Sequence, residues 1–422
     1  MKSAEEVLRE IGDDSQLANV ALHWDEAMAD YPADGPHFLA EDFIRRCREA
    51  TGLDAAMESE LLAVAAAARA DESLAQLAWH CYWRVFHAPV PCPPQAWPEP
   101  ARLGERRGLL YLLAAIAYAP MVYEHHQRLG IPEAVTRETL QQAARYCNDN
   151  YCRGHDGRPG IYLNQMGWMR HYTREPYFRL GRLEYWLEPM KRDMIVYRHR
   201  RTGQVVAFPP DGTRFSADGY RYNREEDYAN EDSWVSELGF ANDCVCGTPV
   251  SPQGYARREK ITLPLADWER VLCKGEDSLT MHIPSGGKMT LEACRDSLLR
   301  ARDFFRQYFP DRPVKAVNCA SWIFNNQLQE ILPDTANLVR FQRELYLYPV
   351  PSSAWDGLWF VFLKSGPFEL KDAPRDTDLQ RRILDFLATG RRWRASGMFF
   401  LLDDLDRFGS QPYHDALSEK CS

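Results

Sequence analysis

Excess positive charge is the first thing missing from this chain of 422 residues: 51 Lys and Arg stand against 60 Asp and Glu, a formal net charge of -9. A nucleic-acid surface needs a concentrated positive field, so that partner class is set aside. Long apolar runs are missing too. The most apolar, GLLYLLAAIAYAPM from Gly108 to Met121, stops at Pro120, short of the roughly 20 residues that span a bilayer, and reads as a buried helix. The opening MKSAEEVLRE carries acids where a secretory leader would be basic and then apolar. The 11 cysteines are too dilute and odd in number for a disulfide scaffold. The setting expected is reducing and cytoplasmic, with no membrane.

Metal and nucleophile signatures are equally thin. Cys147, Cys152 and His155 in CNDNYCRGH, and Cys244 and Cys246 in CVC, lack the paired spacing of a structural zinc site. The adjacent His125 and His126 diverge on a helix. Ser321 in ASWIF lacks the flanking glycines of a nucleophile elbow. No metal is expected.

The length exceeds one core of roughly 250–300 residues, and the texture divides the chain at about residue 175. Residues 1–175 read as helical. Ser3 opens a capped helix, and ESELLAVAAAARADESLAQLAWHCYWRVF has good helix formers with neither Gly nor Pro. The proline-rich Ala88 to Gly104 runs extended, and Pro132 starts a further helix. From residue 176 to 422 strands alternate with few helices. FRLGRLEYWLEPM opens a sheet, and DMIVYRHRRTGQVVAFPPDG makes a hairpin about Arg201-Thr202-Gly203. REKITLPLADWERVL gives a strand, and Asp211 to Arg257 reads as a long loop, a candidate lid. In SLTMHIP, Leu279, Met281 and Ile283 face one way and Thr280 and His282 the other. Leu291, Cys294, Leu298, Ala301, Phe305 and Tyr308 then trace one helix stripe. VKAVNCASWIF closes a βαβ unit with parallel strands. A short helix in NNQLQEIL, strands in NLVRFQRELYLYPV and LWFVFL, and a helix capped by Thr377 and Gln380 and stopped at Gly390 complete the pattern. The class is α+β: a helical domain, then a mixed sheet.

The loop PSGGKMT is the leading chemical candidate. A helix's first turn presents open N–H groups and a positive dipole end, Gly286 and Gly287 permit close approach of an anion, and Lys288 adds charge. A plain capped connection, with Thr290 satisfying the donors and Glu292 using part of the dipole, fits the same residues. His282 sits on the polar strand face at the mouth of this loop, where an imidazole can act as general base. The acids Glu225, Glu226, Asp227, Glu231 and Asp232 either attract an amine or form a solvated face. GRRWRASG, from Gly390 to Gly397, is a small basic and aromatic cluster.

In their order, the motifs LGIPEAVTRETLQQAARYCNDNY, FRLGRLEYWL, LTMHIPSGGKMTLEACRDSLLRARDFF, NCASWIFNNQLQEILP, NLVRFQRELYL and DTDLQRRILDFLATG resemble a bacterial family described as acyltransferases. That family joins a helical N-acyltransferase N-terminal domain to a GNAT-like C-terminal domain. The resemblance, from Leu129 to Leu402, implies a GNAT fold in which two parallel strands splay and an acyl-CoA thioester lies in the gap. It puts the CoA pyrophosphate on Ser285, Gly286, Gly287, Lys288 and Thr290. IPSGGKMT departs from the Gln/Arg-x-x-Gly-x-Gly/Ala pyrophosphate motif typical of GNAT enzymes, so CoA binding rests on family and topology. Acyl transfer to an amine would use His282 or Glu226 as base, the backbone after His282 as donor to the thioester oxygen, and Tyr346 as acid. The partner expected is a small acceptor molecule. The alternative is a GNAT-like binding or regulatory protein without catalysis.

Overall fold

The computed structural model describes residues 1–89, 97–229, 232–364 and 367–414. The chain forms two compact units, one of residues 1–180 with 283–287 and the other of 181–282 with 288–422.

The first unit is dominated by helices. Ser3 caps the helix Ala4–Ile11 in a reciprocal box with Glu6. The uninterrupted helix-forming run of the sequence is two helices, Glu58–Arg69 and Glu72–Phe86. Asp71 makes the break: its carboxylate accepts from Ser73 N and Leu74 N, which caps the second helix better than it would serve an interior turn. That second helix is buried on nearly every face, and Arg84 within it reaches Asn19 O at 2.6 Å. The apolar run forms Arg107–Ile116 and Tyr118–Arg128, so the helical path does not stop at Pro120. Pro120 lies in the first turn of the second of these, where its missing N–H leaves no bond unmade.

The second unit is built on a mixed sheet whose strands we label β1 (Leu183–Pro189), β2 (Asp277–His282), β3 (Ala316–Ser321), β4 (Tyr346–Pro349) and β5 (Ser396–Leu401). Their order is β1-β2-β3-β5-β4. β2 and β3 are parallel and the other neighbours antiparallel. Helix α1 (Leu291–Tyr308) connects β2 to β3 and buries Cys294, Ser297, Leu298, Ala301, Phe304 and Phe305. The βαβ unit and most of the helix stripe therefore stand as expected; the two end residues, Leu291 and Tyr308, are only half-buried.

The hairpin also stands: Ile195–His199 pairs with Val205–Phe208, and Gly203 takes φ 73°, a region that costs glycine little. Four expectations for this unit are corrected. NLVRFQRELYLYPV is a helix, Asn337–Arg343, followed by β4. LWFVFL is a helix, Leu358–Phe362, bounded by left-handed Gly357 and Leu363; a short apolar run does not reveal its period. The stretch 211–257 is no open loop, since it holds six short strands, among them Leu238–Ala241 and Cys244–Gly247 paired about Asn242 and Asp243. REKITLPLADWERVL likewise gives two strands, Ile261–Pro264 and Trp268–Cys273. The capping box of Thr377 and Gln380 is present on Asp378–Ala388.

Candidate functional site

The neighbouring ladders of β2 and β3 differ in length. β2 pairs with β1 over six residues and β3 with β5 over six. Between β2 and β3 only Leu279 with Val317 and Thr280 with Asn318 are in register. β2 continues to His282 and β3 to Ser321 without a further pair, so the two parallel strands part after Thr280 and Asn318. Backbone N–H and C=O groups along such a gap require partners that the ladder does not supply.

His282 stands at the end of β2 on this opening. Its neighbour across β1 in the register is Glu184, and His282 Nδ1 lies 2.7 Å from Glu184 Oε2. The Glu184 side chain is fully buried, whereas the imidazole keeps 23% of its surface exposed. A buried carboxylate bonded to one ring nitrogen fixes the ring's orientation and favours the tautomer with the proton at Nδ1, leaving Nε2 as the basic atom. The same polar face carries Thr280, which donates to Glu188 Oε1 at 2.7 Å, as the alternation of the strand requires. Asn318, buried on β3, donates to Ser278 Oγ at 2.9 Å and ties the roots of the two strands where they still pair. Sequence reading passed over Glu184; its one signal was an acid alternating with Leu, Tyr and Trp in RLEYWL.

The candidate loop divides between the units, with Ser285, Gly286 and Gly287 in the first and Lys288 and Thr290 in the second. In the first, Arg145 donates to Ser285 O at 3.0 Å. Gly286 has φ 77°, and a Cβ there would come within 2.5 Å of Arg145 Nη1 and 2.9 Å of Asp149 Oδ2. The left-handed conformation favours glycine at 286, while the atoms that a Cβ would meet are the mobile ends of two side chains. In the second unit Lys288 is exposed, and Thr290 is the N-cap of α1, accepting from Ala293 N at 3.2 Å. Glu292 turns back on the same turn: hydrogen bonds from its own N–H and from the Thr290 side chain hold its carboxyl below the usual carboxylate range. Two donors of the first turn are thus occupied from within, as the plain capped connection would have it.

Tyr346 is buried on β4. Its hydroxyl donates to Val250 O at 2.6 Å and accepts from Ala207 N at 3.2 Å, and burial pushes it well above the ordinary tyrosine value. Both hydrogen-bonding functions of that oxygen are spent on joining strands. Glu226 is exposed in the turn Glu225–Tyr228. Of its acidic neighbours, Asp227 pairs with Arg392 at 2.7 Å and Asp232 with Arg258 at 3.0 Å; Glu231 lies outside the described residues. Among the described residues no group of three or more His, Cys, Asp or Glu is placed to hold a metal ion, and no helix is long and apolar enough to cross a membrane.

The chain matches two family models: an N-acyltransferase N-terminal domain over residues 41–174 and a GNAT-like C-terminal domain over 177–399. No curated protein matches by sequence. Among solved structures it is similar to an acyltransferase in complex with decanoyl-CoA and teicoplanin, at 20% identity and a TM-score of 0.61, covering 95% of this chain and 100% of that one. It is similar also to an acyltransferase in complex with CoA and 10C-teicoplanin, with the same values, and to one with decanoyl-CoA at 21% identity and a TM-score of 0.58. The second match takes in more than half of the residues, including the parted strands and the helix between them: the chain belongs to the family with a GNAT-like C-terminal domain, preceded by an N-acyltransferase N-terminal domain.

Proposed function

We propose that this protein is a CoA-dependent acyltransferase that moves an acyl group from an acyl-CoA thioester to an amine or a similar small nucleophile. The observation that carries the reading is the two-pair ladder between β2 and β3. A pantetheine arm bears amides, and an opening between two strands that part can hold it as a strand would be held. His282, braced by Glu184, takes the proton from the acceptor nitrogen as that nitrogen attacks the thioester carbon. The C–S bond breaks, the departing thiolate takes up the proton held by His282 so that CoA leaves as the thiol, and an amide remains. N–H groups at the parting ends of the strands favour the oxygen as it gains charge. Tyr346 receives no part in the proton transfer, its hydroxyl being fully bonded within the sheet. The loop Ser285 to Lys288 with Thr290 takes the pyrophosphate, provided that Glu292 gives up its place on the first turn. A reducing, cytoplasmic setting agrees with nine free thiols among the described residues.

Since the neighbours carry decanoyl-CoA and teicoplanin, these are the first donor and acceptor to try. Calorimetry with CoA and decanoyl-CoA, followed by thiol release with an amine panel that includes teicoplanin, tests the proposal. Binding with thiol release in the presence of an acceptor is expected; no heat at millimolar CoA overturns it. One observation favours a second reading, a GNAT-like binding module: the first turn of α1 is already filled by Glu292 and Thr290. CoA binding without thiol release for any acceptor would select that reading.

A further inference from the structure

A cleft of about 500 Å³ opens in the second unit at the β4 edge of the sheet, and the residues of the β2–β3 opening do not line it. Its size lies in the range of small-molecule sites. The lining includes the carboxamides of Gln253, Asn326, Gln329 and Gln342 and the rings of Tyr220 and Tyr255.

Four polar side chains of this lining, those of Tyr220, Asn326, Gln329 and Gln342, are held before any ligand arrives. Gln342 Nε2 donates to Ile323 O at 2.6 Å and Asn325 O at 3.1 Å. Backbone carbonyls only accept, so the amide has one orientation, and its Oε1 accepts from Gln329 Nε2 at 3.0 Å. That bond orients Gln329 in turn and leaves Gln329 Oε1 as an acceptor on the lining. Asn326 Nδ2 donates to Gln253 O at 2.9 Å and to Tyr220 Oη at 2.8 Å. The Tyr220 hydroxyl thus receives one hydrogen bond and keeps its own proton to give. The Arg394 guanidinium lies 3.8 Å over the Tyr220 ring and fixes its plane.

The Glu330 and Arg343 side chains of the lining are each paired. Glu330 pairs with Arg391 at 2.7 Å, and Arg343 with Asp334 at 2.5 Å. An ionic ligand would find Glu330 and Arg343 already matched, with the titratable His414 also on the lining, whereas a neutral molecule rich in hydroxyls meets oriented acceptors, a phenolic donor and aromatic faces.

We infer that this cleft binds a neutral saccharide, in a site separate from the one that holds the acyl donor. The inference does not rest on the proposed acyl transfer, because every group it uses lies outside the β2–β3 opening.

Saturation-transfer NMR on the full chain tests it, with methyl glucoside and N-acetylglucosamine as neutral probes, and glucose 6-phosphate and the dipeptide Gly-Gly as contrasts. Transfer to a neutral sugar is expected, weakened roughly three- to tenfold in Gln329→Leu, which loses one oriented hydrogen bond. An unchanged melting temperature shows that this variant is folded; Gln253→Ala, which keeps the backbone carbonyl that Asn326 uses, is the second variant should the first be unstable. No transfer from either sugar at about 20 mM, well above the millimolar Kd of a weak ligand, overturns the inference. So does transfer that both variants leave intact, or binding of Gly-Gly or the phosphorylated sugar in preference to the neutral ones.

Discussion

β2 and β4 belong to one sheet, and each carries a residue that the sequence nominates for proton transfer, yet they treat the two side chains oppositely. On β4 the Tyr346 hydroxyl gives its proton to Val250 O and takes one from Ala207 N, and no water reaches it. On β2 the His282 ring is bonded to a buried carboxylate at one nitrogen while part of its surface stays open. A polar group that is buried and bonded on both sides holds a fold together; a ring braced by a buried acid that keeps part of its surface exposed can act on something that arrives. The position of His282 at the parted end of β2 adds a place for that arrival.

The largest test of this contrast removes the imidazole. His282→Ala is expected to lower kcat for acyl transfer by about 10²–10³, the range of a lost general base, with CoA binding by calorimetry nearly unchanged. If kcat stays within a factor of two or so of the parent, the base lies elsewhere and the exposed Glu226 becomes the first alternative.

Next in size comes the brace. Glu184→Gln keeps the shape of the side chain, removes its charge and loosens the preference for one tautomer, so kcat should fall by roughly 10-fold to 100-fold, the scale of a lost supporting contact. KM should hardly move, because Glu184 reaches no substrate. A rise in KM at constant kcat would place Glu184 in binding instead.

Much of this contrast was legible beforehand, and what was hidden follows a physical pattern. The alternation of SLTMHIP put Thr280 and His282 on one polar face, and the bonds to Glu188 and Glu184 lie there. The stripe of α1 and its Thr290 cap were readable because helical spacing and capping are local. The shortness of the β2–β3 ladder was not, since register between strands about 40 residues apart leaves no periodic mark and entered only through the family resemblance. The bonded, buried state of Tyr346 was hidden for the same cause: its partners Ala207 and Val250 are distant in sequence, and burial is a property of the assembled sheet. The helix Leu358–Phe362 was equally hidden, because five apolar residues carry no period of their own and the left-handed Gly357 and Leu363 that bound it have no periodic signal.

A smaller effect sharpens the other open point, the occupied helix terminus. Glu292 places a carboxylate on the first turn of α1. A phosphate seated there would compete with it and be repelled by it. Glu292→Gln is expected to tighten CoA binding about two- to fivefold, the worth of one charge at a helix end, with the gain shrinking as salt is raised. Weaker binding would mean that Glu292 orders the turn for the ligand instead of standing in its way.

The smallest expected change in activity belongs to Tyr346→Phe, and it closes the comparison from the opposite side. Deleting the hydroxyl leaves Val250 O and Ala207 N without their partner inside the sheet, which should cost about 1–2 kcal/mol of stability in a chemical melt. Turnover by the folded variant should stay within about twofold, because a hydroxyl whose only proton is already donated to Val250 O has none to offer a leaving thiolate. A loss of kcat of about 10²-fold or more, with little loss of stability, would return the acid role to Tyr346 and require β4 to open during the reaction.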